Sequence, residues 1–153
     1  MTEGPIKLLK IDNRSWDQGA YLSILAAAPA EEVKRFVDDW ILPEVETVDV
    51  IENRTGLVMI PARDTVAGKV FHIGEALVSE AKARVGSQVG YAACLGRDRE
   101  QALAVAILDA LIRSGARHEL IAPMVSAWER RQQAEREDEM RHVEATRVEM
   151  ETF

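Results

Sequence analysis

The apolar residues recur every three or four positions near both ends of this chain and every second position in its middle. Two changes of period along one sequence dictate the order helices, strands, helices. The centre is the most constraining part. Leu77, Ser79, Ala81, Ala83 and Val85 fall on one side of an extended chain, and Val78, Glu80, Lys82 and Arg84 on the other. That alternation describes an antiparallel strand with one buried and one wet face. Gly86-Ser87 then supplies a two-residue hairpin turn, and Gln88 to Leu95 returns beside it.

Upstream, Ser15 to Ala28 reads as a helix with Trp16, Ala20, Ile24 and Leu25 on one face. Ser15 and Gln18 have capping-box spacing, and Pro29 stops the run. A second helix starts near Ala30, buries Val33, Phe36, Val37, Trp40 and Ile41, and ends before Pro43. The period then becomes two. Val45 to Glu52 is a predicted strand, Asn53-Arg54-Thr55-Gly56 a turn, and Leu57 to Arg63 the next strand. Pro61 marks an edge or a bulge there, because it has no ladder N–H to give. Asp64 to Gly68 reads as a loop, and Lys69 to Val85 as a long strand bent or bulged at Gly74.

After the sheet, Asp98 is the expected N-cap of a helix, with Gln101 completing a capping box. Ala102, Leu103, Ala106, Ile107, Ala110 and Leu111 form its buried stripe, and Gly115 closes it. Leu120, Ile121, Met124, Val125 and Trp128 make a further stripe, which fails at Glu129. Residues 129–139 are nearly all charged or Gln. Apolar residues return at Met140, Val143, Val148, Met150 and Phe153. Such an arm either grips a partner or is a solvated tail. The expected architecture is α+β: N-terminal helices, an antiparallel meander of about four strands, then C-terminal helices. Residues 1–153 form a single domain, with 129–153 as the partner-binding arm.

A chain of 153 residues, 47% of them hydrophobic, suits one globular domain. Its net charge of −7 carries no basic stripe for nucleic acid or for a membrane surface. The first residues lack a basic region followed by an apolar one, so no secretory signal is expected. Cys94 alone makes neither an internal disulfide nor a cysteine cluster for a metal. The expected location is the cytoplasm.

Catalytic patterns are sparse. There is no Walker phosphate loop and no paired metal-ligand spacing, and His72, His118 and His142 are scattered. Cys94 sits among apolar residues, where a thiol acts as a small core side chain. Glu75 and Glu80 are an odd number of positions apart, which puts them on opposite faces of a regular strand. Gly96-Arg97-Asp98 is the most suggestive segment. Glycine before a helix can bring backbone close to a phosphate, but Asp98 as a cap would occupy the amides and repel an anion. Arg97 is left open to a phosphate contact or to a salt bridge with a partner. Arg63, beside Asp64, is the second candidate.

The ordered series of motifs is more specific than any of its members. Glu52-Asn53-Arg54-Thr55-Gly56-Leu57-Val58, Gly74-Glu75-Ala76-Leu77, Gly90-Tyr91, Leu95-Gly96-Arg97-Asp98, Asp109-Ala110-Leu111, Leu120-Ile121-Ala122-Pro123 and Ala145-Thr146-Arg147-Val148-Glu149 follow one another along nearly the whole chain. Arg14-x-Trp16 with Leu22-x-x-Leu25-Ala26 precedes them. The series resembles the PhnG family of the carbon–phosphorus lyase system. Members often carry aromatic residues after the Val-acidic pair, where this chain has Met150 and Glu151.

The resemblance implies a subunit of a core complex with PhnH-like, PhnI-like and PhnJ-like partners. That complex displaces adenine from ATP with a phosphonate, giving ribose 1-methylphosphonate 5-triphosphate when the phosphonate is methylphosphonate. Nucleosidase-like chemistry is associated with the PhnI-like partner. Radical cleavage with S-adenosylmethionine and an iron–sulfur cluster belongs to the PhnJ-like partner. The resemblance assigns no catalytic residue and no cofactor to this chain, so an assisting or structural role is expected. Arg63 and Arg97 are the candidates for touching substrate or partner, as phosphate-binding residues of a composite active site. The other alternative is an independent homodimer that swaps its C-terminal arm, so self-association stays open.

Overall fold

A computed structural model describes residues 8–147. The described residues open with a small hairpin, β1 (Leu9–Ile11) and β2 (Arg14–Trp16), in which Leu9 faces Trp16. The hairpin is not legible in the periodicity, and the helix expected from Ser15 overlaps the last two residues of β2. Ser15 pairs with Lys10 in the ladder and therefore caps nothing. The cap is Asp17, whose Oδ1 accepts from the Ala20 N–H at 2.8 Å, and α1 spans Gln18–Ala27.

Helix α2 (Ala30–Phe36) widens into a π turn at Val37–Ile41 and tightens into a 3₁₀ turn at Leu42–Glu44. Val33, Phe36, Val37 and Ile41 are buried as expected, whereas Trp40 is 59% exposed. The π turn adds a residue to the helical circuit, which shifts Trp40 off the buried face.

The main sheet is an antiparallel meander of β3 (Val48–Arg63), β4 (Val70–Val85) and β5 (Gln88–Leu95). The α+β class and the order of periods stand. The division into strands differs, because the stretches read as two strands around Asn53-Gly56 are one 16-residue strand. Asn53, Arg54, Thr55 and Gly56 pair in register with Ala81, Glu80, Ser79 and Val78. Local turn preference yields to a long cross-strand ladder in which Arg54 ion-pairs with Glu80 and Glu52. The bulge expected near Gly74 is present, with the register shifting between Ile60/Pro61 across from Gly74 and His72. Pro61 lies on edge strand β3, where its missing N–H breaks no internal ladder. Gly86 takes φ 59° at the β4–β5 turn, the conformation a tight hairpin needs at its first central residue.

Helix α3 (Arg99–Ser114) lies across one face of β4 and β5, over Ser79, Ala81, Ala83 and Val85 from β4 and Ala92 and Cys94 from β5, all of them buried. Asp98 caps it through the Gln101 N–H at 2.9 Å, and Gly115 ends it with φ 80°. Helix α4 (His118–Ala145) buries Ile121, Val125 and Trp128 against the same core. Trp128 stacks edge-on against Phe36, with ring centroids 6.1 Å apart.

Candidate functional site

Asp109 is the hub that fixes this arrangement. It is fully buried in the middle of α3, where an uncompensated carboxylate would be costly. Tyr21 donates to it at 2.6 Å from α1, the Tyr91 backbone N–H at 2.9 Å from β5, and Gln18 Nε2 at 3.2 Å. Burial, and then this hydrogen bond, push the Tyr21 phenol far above its usual range. Three elements are thereby tied to one carboxylate. The sequence offered only a weak signal, an acidic residue inside an apolar helical stripe. Gln18, expected in a capping box, is used here instead.

Beyond the core, the sheet continues as a two-stranded ribbon. Strand β5 ends at Leu95, opposite Val78, and the Gly96 N–H closes on the Leu77 carbonyl at 2.9 Å. From there outward β3 and β4 pair only with each other among the described residues. Leu57, Val58, Met59 and Ile60 are all exposed there, with Leu57 at 64%, as are Val70, Phe71 and Ile73. In a strand, successive side chains point to opposite faces, so the run Leu57–Ile60 makes both faces of the ribbon apolar. Strands with continuous apolar runs are those covered on both sides.

A second projection is the end of α4. Its base is held by Glu32, which accepts from Trp128 Nε1 at 3.0 Å and from Arg131 at 2.8 Å, and by Gln132, which donates to the Ile24 carbonyl at 2.9 Å. From Gln133 to Ala145 the helix extends roughly 20 Å further. Met140 and Val143 are exposed on it. The arm expected from residue 129 is therefore a continuous helix as far as Ala145. Val148, Met150 and Phe153 lie outside the described residues.

Arg63 and Arg97 are both exposed, and neither has an ion-pair partner among the described residues. The fold keeps them apart. Arg97 follows Gly96 beside Leu77, whereas Arg63 pairs with Val70 at the ribbon tip, roughly 23 Å away along β4. One phosphate cannot bridge them within a single chain. Asp98 holds the first turn of α3 and also accepts from Lys34 at 3.0 Å. Its carboxyl is held below the usual range, first by the Gln101 N–H and then by Lys34.

Three of the remaining polar candidates are buried or have a local partner. Burial pushes the Cys94 thiol up to about 11, which leaves it a poor nucleophile. His118 meets the Ile112 carbonyl at 3.0 Å, and His142 meets that of Asp138 at 2.8 Å. Glu75 and Glu80 fall on opposite faces, with no register shift between them. Among the described residues no group of His, Cys, Asp and Glu is placed to hold a metal ion, and no helix is long and apolar enough to cross a membrane.

The sequence profile of the family described as "Phosphonate metabolism protein PhnG" matches residues 18–153. The chain is also similar to the alpha-D-ribose 1-methylphosphonate 5-triphosphate synthase subunit PhnG of Rhizobium meliloti (strain 1021). The two are 36% identical over 105 residues, covering 63% of this chain and 67% of that protein.

Proposed function

Because the chain belongs to the PhnG family of phosphonate metabolism proteins, we propose that it is an assisting subunit of a phosphonate ribosyl triphosphate synthase, built to join the complex and not to carry its main catalytic groups. The complex would use ATP and a phosphonate to form ribose 1-methylphosphonate 5-triphosphate with release of adenine, in the cytoplasm. PhnI-like, PhnH-like and PhnJ-like subunits are the partners. The iron–sulfur and S-adenosylmethionine chemistry would reside in the PhnJ-like one.

The observation that carries this reading is the ribbon. A two-stranded ribbon with no core of its own is marginal in water. One that is apolar on both faces is suited to burial inside an assembly. Residues 129–153 would act as a second grip. Co-expression with the three partner subunits, followed by size-exclusion chromatography, tests the reading directly. Joint migration is expected. Migration of this chain alone, beside folded partners, would sink it.

Arg97 supports a second reading, in which it contacts a phosphate in a site shared between subunits. Its side chain is exposed and unpaired among the described residues. Arg97→Ala should then abolish synthase activity while leaving the complex intact. Loss of assembly along with activity would assign it to an interface instead.

A further inference from the structure

A groove that the ribbon and the arm do not share lies between the π turn after α2 and the first half of α3. Val37 and Asp38 of the π turn line one side, and Leu103, Ala104 and Ile107 of α3 the other. The gap is an open groove of about 290 Å³. Its floor is Val37, Ala104 and Ile107, and its walls are Leu42 and Leu103. That volume is at the bottom of the range for small-molecule sites, so it suits an apolar side chain better than a nucleotide.

The rim of the groove is acidic. Asp38 and Glu100 border it, and Glu31 and Asp39 line the adjoining depression. Lys34 stands between the two and is already engaged, at 2.6 Å from Glu31, 3.0 Å from Asp98 and 3.9 Å from Glu100. Arg35 is the other cation there. Asp38 and Asp39 are exposed, and neither has a hydrogen-bond or ion-pair partner among the described residues. Two further observations favour use of this surface. A π turn departs from regular helix geometry, and such turns recur at functional sites. Trp40 on the same turn is exposed, and tryptophan is enriched among the residues that dominate interfaces.

We infer that this groove docks a segment of another synthase subunit that places one large apolar side chain between Leu42 and Leu103 and sets Lys or Arg against Asp38 and Asp39. The inference rests on the reading of the chain as a complex subunit. Charge complementarity selects the occupant, since an acidic segment would meet like charges on both sides of the groove.

The test uses the full chain co-expressed with PhnI-like, PhnH-like and PhnJ-like subunits, with the photo-crosslinking residue p-benzoylphenylalanine at position 42. The cross-linked peptide is expected to come from another subunit and to carry Lys or Arg within a few residues of an apolar side chain. Asp38→Lys with Asp39→Lys should lower the cross-link yield roughly tenfold without changing the melting temperature of the isolated chain. A cross-link to a peptide without a basic residue, an unchanged yield, or no cross-link from a chain that does co-purify would overturn the groove and spare the subunit reading. An unsubstituted chain that fails to co-purify with folded partners overturns both.

Discussion

Gly90 of β5 and Ala106 of α3 lie in backbone contact: a Cβ built on Gly90 would stand 1.9 Å from the Ala106 carbonyl oxygen and 2.5 Å from the Ala110 N–H nitrogen. Both neighbours are main-chain atoms in the middle of a helix, so neither can rotate away. Gly90→Ala must push α3 off the sheet. Overpacking of a rigid core costs about 1–3 kcal/mol, and this contact belongs at the upper end. Chemical denaturation of Gly90→Ala should show that loss. A midpoint equal to that of the wild type would mean the helix sits farther from β5.

Asp109 is tied to the same junction by hydrogen bonds. Asp109→Ala would leave the buried Tyr21 hydroxyl and the partly buried Tyr91 N–H without their acceptor. Unsatisfied buried donors cost about 1–3 kcal/mol each, so a loss of roughly 3 kcal/mol is expected. Tyr21→Phe removes one donor and leaves the carboxylate two others, so it should cost less. Thermal unfolding of the two variants gives the order. A larger loss for Tyr21→Phe would contradict the hub role of Asp109.

Asp98 makes folding stability sensitive to acid. Its folded carboxyl titrates below the unfolded one, held down by the Gln101 N–H and Lys34. The stabilisation is therefore complete above the ordinary carboxylate range and is lost as pH falls from about 5 toward the folded value. Asp98→Ala removes the cap and should cost about 1 kcal/mol at neutral pH. Asp98→Asn keeps a capping oxygen without the charge, so it should flatten the acid limb of the stability curve. Denaturation from pH 7 to 3 measures both effects, and an Asn variant with an unchanged acid limb would assign it to other carboxylates.

The sequence made the class and order of elements legible because burial in the core is one-sided. The alternation of Leu77 to Val85 survives intact in β4, and Asp98 and Gly115 cap α3 as their chemistry demands. Illegible were the places where distant partners decide. Asn53 to Gly56 has turn composition, yet the pairing of β3 with all of β4 overrides it. Within that ladder the buried Oδ1 of Asn53 has no hydrogen-bond partner among the described residues. The hairpin of β1 and β2 is too short for its period to register. Sequence offers Arg97 and Arg63 as two polar spots, one before a helix and one at a strand end, and the length of the ribbon sets the distance between them.

The ribbon yields the prediction that bears most on function. Leu57 and Met59 point to the side of the sheet where α3 lies, and Val58 and Ile60 to the opposite side, because no register shift separates them from Thr55 and Arg54. All four are exposed in the chain by itself. Met59→Lys and Val58→Lys should therefore each change the stability of the isolated chain by no more than about 0.5 kcal/mol. If the assembly covers both faces, each variant buries an unpaired ammonium in it, and each should weaken binding by about 2 kcal/mol, roughly thirtyfold. A helix packed on one face alone would make only one of the two harmful. Retention of both variants by the co-expressed partner subunits, read from quantitative pull-down at matched salt, decides between these cases. Two-sided sensitivity with unchanged melting of the free chain is the expected result, and a single sensitive face would show that the apolar run Leu57–Ile60 is only half used.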